Sequence, residues 1–478
     1  MGMMDVLQNQ LANQSDEDLA DIAGYYDQEP EHRTDLGNAK RLVQRHGQDF
    51  RYSTQIGWLV WNGTNWSQDD SGQMDRWAKD TVRQMYEEAS SYADENLRKA
   101  IAEHALRSEA RSKIEAMIAL AKSEPTIPVS QDELDIDPWL LNVANGTLNL
   151  KAAELRLHAR QDLITRIVRL PYDDTAECPT WTSFLDRIMD GDSEMIEFIQ
   201  KAVGYSLTGS TKEQCFFILY GVGSNGKSTF LNTISAILGV YACQTRTETL
   251  MTKRGDSIPN DVARLAGARF VTAIETEGGR RLAEGLVKQL TGGDKMTARF
   301  LHHEFFEFQP TFKLWLACNH KPRIAGTDYA IWRRIRLIPF QAIITENERD
   351  LDFAEKLKDE YPGILAWAVD GCLKWLATGL TSPEDVKCAT QAYRNESDVV
   401  AAFIDECCAI GADCNVPKGA LYETYVEWAK KSGEQTVSKK ELGNKLAEKG
   451  FVETRTKKER LWTGIGILEV THEAGDER

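Results

Sequence analysis

An α/β fold is predicted by three features of the chain. The apolar segment FFILY (216–220) runs into the glycine-rich loop Gly221 to Thr229 and then into the apolar helical run TFLNTISAIL. Two more apolar segments, 270–274 and FKLWLACN (312–319), each end on a polar residue where the chain would leave a sheet. From residue 417 two helical and two strand-like patterns follow in the order of a winged helix.

The composition of the 478 residues, 42% hydrophobic and 27% charged, is that of a globular chain with room for roughly three domains. Its apolar stretches are strand-length, far short of the ~20 residues that span a bilayer, so no membrane partner is expected. The N-terminus has no basic start followed by an apolar core, which makes the cytoplasm the expected compartment. None of the nine cysteines forms a Cys-x-x-Cys pair, so Cys407, Cys408, Cys414 and the rest read as reduced structural thiols. A net charge of −16 argues against a protein that coats nucleic acid and requires any phosphate contact to be local.

The first 30 residues, acidic and polar, read as a loosely held arm. A short helix is expected over TDLGNAKRLVQRHG, then a hairpin over WLVWNGTNW with Asn62-Gly63 at the turn. The three tryptophans there suit core packing or stacking on bases, and packing is the simpler reading. Residues 74–122 have helical spacing without Pro or Gly and read as one long helix or two shorter ones, ended by Pro125 and Pro128. Short strands around an Asn145-Gly146 turn and helices over 181–208 complete a mixed α/β region, 31–208.

The central region, 209–345, carries the chemistry. Gly221, Gly223, Ser224, Asn225, Gly226, Lys227, Ser228 and Thr229 lie in the pattern G-x-x-x-x-G-K-[ST], after a strand and opening a helix. Backbone N–H groups of such a loop turn toward phosphate oxygens at a helix N-terminus, so ATP with Mg2+ is the expected ligand. Lys227 would reach the terminal phosphates and Ser228 would ligate the metal. At the end of strand 270–274, Glu275 and Glu277 share one side by period-two alternation. Glu275 is assigned to the metal and Glu277 to the attacking water, with the roles open to exchange. Asn319, at the tip of FKLWLACN, is placed to sense the γ-phosphate. Arg333, Arg334 and Arg336 precede another apolar strand; Arg333, with Arg334 as second choice, is expected to neutralise charge on a neighbour's nucleotide, which implies an oligomer.

A helical connector, 346–415, leads to the winged-helix-like region, 416–478. Between Lys439 and Arg460 eight Lys or Arg face four Glu. Lys439, Lys440 and Lys445 are therefore candidate DNA contacts, with a protein partner as the other reading.

These motifs, in this order, resemble the superfamily 3 helicases of the phage and plasmid primase type, relatives of the poxvirus helicase-primases. DPWLLNVANGTLNL, ECPTWTSFL and VGYSLTGSTKEQCFFILYG look like that family's accessory domain. GVGSNGKST, ARFVTAIETE, VKQLTGGDKMTARFLHHEFFEFQP, LACNHKP and IWRRIRLIPF look like its successive motor motifs. The resemblance implies an AAA+-like motor forming a ring, usually a hexamer, that tracks along single-stranded or forked DNA. It also implies a channel hairpin over 290–310, with His302 and His303 near the tip, Arg299 on an arm and Lys288 on the helix before it. Two His carry less charge than the basic tip common in the family. With about 30 residues before the accessory region, primase activity is not expected here, and a separate primase or polymerase becomes a partner. The rival readings are a P-loop small-molecule kinase and an origin-binding initiator or scaffold holding ATP structurally.

Overall fold

A computed structural model of the chain describes residues 32–252, 260–275, 280–299, 305–324, 326, 328–432, 434, 436–456 and 459–468. The expected arm, 1–30, lies outside them. Helix α1 (Asp35–His46) starts at Thr34, whose hydroxyl accepts from the Gly37 N–H. Strands β1 (Phe50–Ser53), β2 (Gly57–Trp61) and β3 (Trp66–Gln68) form an antiparallel sheet, and Gly63, at φ 98°, lies in the turn between Trp61 and its pair Trp66. Trp66 is fully buried, and Trp58 and Trp61 pack on Phe50 and Trp66, so these rings serve the packing of the sheet.

The helical run after it is three helices rather than one or two: α2 (Gln73–Ser91), α3 (Glu95–Ser108) and α4 (Arg111–Ala121). The first break falls at Asp94, whose carboxylate accepts from the N–H groups of Asn96 and Leu97. A side-chain cap starts a new helix without Pro or Gly, so breaker residues did not mark it. Next come β4 (Leu140–Val143), β5 (Gly146–Asn149) and β6 (Glu154–Arg156). Val143 pairs with Gly146, which moves the turn one residue earlier than expected, to Ala144-Asn145. Gly146 lies in the strand, where a Cβ would come within 2.3 Å of the Arg156 carbonyl oxygen, so the position requires glycine.

Helices α5 (Pro179–Ile188) and α6 (Ser193–Leu207) lead into the central sheet. In chain order its surroundings are β7 (Phe216–Tyr220), α7 (Lys227–Leu238), β8 (Ala242–Gln244), β9 (Phe270–Ile274), α8 (Glu284–Gly292), the antiparallel pair β10 (Met296–Ala298) and β11 (Phe306–Phe308), β12 (Lys313–Cys318), α9 (Tyr329–Trp332) and β13 (Ile335–Pro339). Five parallel strands are ordered β13-β7-β12-β9-β8. Phe217, Leu219, Trp315 and Ala317 face one layer, with Trp181 and Phe230; Phe216, Ile218, Leu314 and Leu316 face the other, with Val287 and Leu290. Cover on both faces is why these strands read as unbroken apolar runs.

Leu141, Val143, Leu148 and Leu150 belong to the same core as Phe217 and Trp315. The boundary expected at 208/209 is therefore not a packing boundary, since β4 and β5 complete a layer of the sheet. Two cations tie this junction. Lys313 Nζ donates to the carbonyls of Thr208, Ser210 and Thr311, and Arg269 donates to Leu207 and Leu140.

Helices α10 (Phe353–Asp359), α11 (Tyr361–Thr378) and α12 (Glu384–Glu396) make the connector. The C-terminal unit is α13 (Val399–Cys407), β14 (Cys408–Pro417), α14 (Lys418–Lys431), α15 (Lys439–Glu448), β15 (Val452–Arg455) and β16 (Arg460–Ile467). Its sheet has three strands, β14-β16-β15. The boundary expected at 415/416 falls inside β14. CAIGADCNVP is poor in strand formers, and pairing with β16 overrides that weak propensity. All nine cysteines are free thiols, and among the described residues no helix is long and apolar enough to cross a membrane.

Candidate nucleotide site

The loop after β7 is held by its own sequence. Gly226 sits at φ 83° and caps α7, and a Cβ on it would press on Ile188 and Phe184 at 2.8 and 3.0 Å. Gly221 is equally constrained, because its Cβ would lie 2.2 Å from the Phe340 carbonyl oxygen, whereas Gly223 has open space. The Asn225 amide donates to the carbonyls of Val222 and Phe340, and Ile344 N–H donates to Ser224 O at 2.7 Å. The segment after β13 thus fastens the loop from one side.

Lys227 is 6% exposed, and its Nζ donates to Gly221 O at 2.6 Å, Asn225 Oδ1 at 3.0 Å and Asn319 Oδ1 at 3.2 Å. Burial pulls its ammonium below the ordinary lysine value. Ser228 is exposed and Thr229 half-buried at the start of α7. The parallel registers of β7, β12 and β9 bring Gly221, Asn319 and Glu275 to one edge of the sheet.

Glu275 is 7% exposed, and neither carboxylate oxygen has a hydrogen-bond partner among the described residues. Burial pushes its carboxyl up to about 7, against the opposing pull of Arg280. A buried carboxylate with no partner among the described residues, on the same sheet edge as an exposed hydroxyl at a helix N-terminus, fits a hard divalent cation that takes few protein ligands and completes its shell with phosphate and water. Among the described residues no cluster of three His, Cys, Asp or Glu offers an all-protein site. Glu277 lies outside the described residues.

The arginines occupy the opposite edge. Phe216 N–H donates to Arg334 O at 2.7 Å, where β7 and β13 begin. Arg334 is buried and donates to Thr291 Oγ1 and Ala330 O, whereas Arg333 is exposed and donates to Gln214 Oε1. Arg336 donates to Arg333 O.

Among the candidate DNA contacts, Lys288 is ion-paired with Asp328, and the Arg299 guanidinium lies 4.9 Å from the centroid of the Phe305 ring at the end of β10. His302 and His303 lie outside the described residues. Lys439 and Lys440 are exposed on α15, with Lys439 over the Tyr422 ring. Lys445 is 9% exposed and faces a cleft of about 920 Å³ between the C-terminal unit and the central sheet, so it offers no outward charge. The helical register sets this, since Lys445 shares a side with the buried Leu442 and Leu446.

Sequence reasoning passed over Cys318, Arg280, Lys321 and Tyr393. Cys318 is buried beside Glu275 and Lys227, and burial drives its thiol up to about 12, so it acts as an apolar wall. Cys318 and Lys321 lie within LACNHKP, but they meet Arg280 and Tyr393 only through tertiary contacts.

Three family models match the chain: "D5 N terminal like" over residues 39–190, a family of unknown function, DUF5906, over 219–334, and "Poxvirus D5 protein-like" over 395–466. "Putative helicase L207/L206" of Acanthamoeba polyphaga mimivirus is 29% identical over 324 residues, 62% of this chain and 33% of that protein. "Putative helicase 022R" of Frog virus 3 is 27% identical, over 48% of this chain and 26% of that protein. "Putative primase C962R" of African swine fever virus is 26% identical, over 42% and 22%. The chain thus aligns with about a third or less of the length of these relatives. The apo structure of the NrS-1 C terminal region aligns over 92% of this chain and all of that one, with 10% identity and a TM-score of 0.46. The chain is thus similar to D5-type proteins at both ends of the described fold, and its relatives in large DNA viruses are named putative helicases and primases.

Proposed function

We propose that the chain is the P-loop motor of an ATP-dependent superfamily 3 DNA helicase acting in viral, phage or plasmid replication. The observation that carries this reading is the meeting of Lys227 with Asn319 at 3.2 Å, on the sheet edge where Glu275 has no hydrogen-bond partner among the described residues. In this reading Lys227 exchanges the Gly221 carbonyl for terminal phosphate oxygens, and its charge is restored by theirs. Ser228 and Glu275 would hold Mg2+, which supplies neutralisation of phosphate charge when bound. Asn319 orients the attacking water at the γ-phosphate, and Glu277 takes its proton.

Sheet order also supports one direction for the nucleotide. Glu275 and Asn319 end strands on one side of β7, so in this reading the γ-phosphate points there and the base lies toward β13. Arg333 stands at the start of β13, about 15 Å of strand from the P-loop edge, beyond the reach of its side chain within one subunit. A role for it in hydrolysis therefore belongs to a neighbouring copy, which supports a ring, and by family resemblance a hexamer. The C-terminal unit serves as a winged helix resting Lys439 and Lys440 on DNA. Steady-state ATP hydrolysis with and without single-stranded DNA tests the reading. Turnover stimulated by DNA is expected; turnover indifferent to DNA would favour a kinase-like enzyme, and nucleotide binding without turnover a structural ligand.

A further inference from the structure

The turn after Asn319 is clasped by Lys321, which lies in LACNHKP but has been given no role above. Lys321 Nζ makes an ion pair with Glu396 Oε2 at 2.7 Å. The same ammonium lies 4.9 Å from the Tyr220 ring centroid and 5.5 Å from that of Tyr393. Tyr220 is the last residue before the P-loop, and Tyr393 and Glu396 stand on α12. The Tyr393 hydroxyl donates to the Pro322 carbonyl from a position 2% exposed, with its ring edge-on to Trp332.

This arrangement joins three elements at one cation. The end of β7, the turn after β12 and the last turn of α12 cannot shift independently while Lys321 is held. A cation between two aromatic faces and a carboxylate is fixed in direction, unlike a surface pair held by charge alone. From α12 the contacts continue outward. Asp398 caps α13 by accepting from Ala401 N–H, and it pairs with Lys449 just beyond α15 at 2.5 Å; Arg323, two residues past Lys321, stands 4.0 Å from Glu434.

We propose that Lys321 is a positioning residue for ATP hydrolysis: held by Tyr220, Tyr393 and Glu396, it sets Asn319 against Lys227 and ties that setting to the C-terminal unit through α12. The inference rests on the reading of this site as an ATPase. Small displacements of a positioning group cost large factors in rate, because geometry rather than binding is lost.

The test uses the full chain with Lys321→Met, Lys321→Arg and Glu396→Gln, measuring kcat and KM for ATP with and without forked DNA, together with thermal midpoints. Lys321→Met is expected to lower kcat about tenfold or more, with KM changed less than about twofold, and to remove stimulation by DNA. Lys321→Arg should recover most of kcat, since a guanidinium also stacks on aromatic rings and pairs with carboxylate. Glu396→Gln should fall between them. Wild-type kcat and DNA stimulation in Lys321→Met would overturn the proposal. So would an equal fall in Lys321→Met and Lys321→Arg accompanied by lowered midpoints, which marks a structural role alone. Failure of the unsubstituted chain to hydrolyse ATP would instead remove the reading beneath it.

Discussion

The two edges of the central sheet both bury charge, and they treat it in opposite ways. At the edge where the strands begin, Lys313 donates to three carbonyls and Arg269 to two, several of them at the C-terminal end of α6, where the helix dipole favours cations. Arg334 is likewise satisfied by Thr291 and Ala330. At the edge where the strands end, Glu275 has neither oxygen bonded among the described residues, and Lys227 leans on one carbonyl and two side-chain amides. A charge satisfied by backbone is part of the architecture and has nothing to exchange. A charge left open, or held by partners that a phosphate can replace, is ready for a ligand.

The contrast is broken most directly by Lys227→Ala. ATP turnover should fall by on the order of 10³-fold or more, with the thermal midpoint of the unliganded chain nearly unchanged. Retained hydrolysis would remove the nucleotide site from this edge. Arg333→Ala sharpens the comparison, since an exposed cation at the architectural edge is assigned to a neighbour's functional edge. It should bind ATP normally, as read by equilibrium binding, and lose on the order of 10³-fold in rate. Mixing it with Lys227→Ala subunits should restore part of the activity by creating interfaces with an intact loop and an intact arginine. No recovery, under demonstrated subunit exchange, would count against action in trans.

Glu275→Gln carries a signature of both edges. Hydrolysis should drop on the order of 10²-fold while the unliganded protein gains stability. The folded-state value of this carboxyl, about 7, lies above its ordinary 4.5. Its presence therefore costs stability progressively as pH rises through that window, and the gain from Gln should be largest above pH 7. A thermal midpoint that falls instead, across pH 5 to 9, would mean that the carboxylate is structurally partnered. Lys313→Met gives the inverse result. Volume is nearly kept but three carbonyls lose their donor, so unfolding stability should drop by about 3 kcal/mol or more in denaturant titration. Unaltered stability would show that these bonds are replaceable.

The meeting of the residues proposed for the nucleotide at one edge was legible in the sequence because they are contiguous with strand ends. FFILY followed by GVGSNGKST, FVTAI followed by Glu275, and KLWLAC followed by Asn319 each join a periodic apolar run to a polar terminus, and parallel pairing aligns the three. The architectural edge was not legible. Lys313 and Arg269 look like ordinary charged residues at the start of strands, and their carbonyl partners lie far away in the chain. The same reason hid the clasp on Lys321, the joining of β4 and β5 to the main core, and β14, whose partner β16 comes some fifty residues later.

The pairing of β14 with β16 decides how the C-terminal unit must be tested. Deleting everything from Pro417 would remove β16 and leave β14 with an unpaired edge, so altered DNA binding could reflect misfolding or association of strands. Substitution on the outer face of α15 avoids this. Lys439 and Lys440 are exposed, while Lys445 is buried toward the cleft and is left intact. Lys439→Glu with Lys440→Glu should weaken forked-DNA binding severalfold at moderate salt. It should also reduce the slope of log affinity against log salt by about 2, one for each DNA phosphate that a lysine no longer neutralises. Basal ATP hydrolysis should stay within about twofold, because neither lysine touches the sheet edge proposed to hold the nucleotide. An unchanged affinity and salt slope would assign this face to a protein partner, and DNA would then be held by the central sheet's own loops alone.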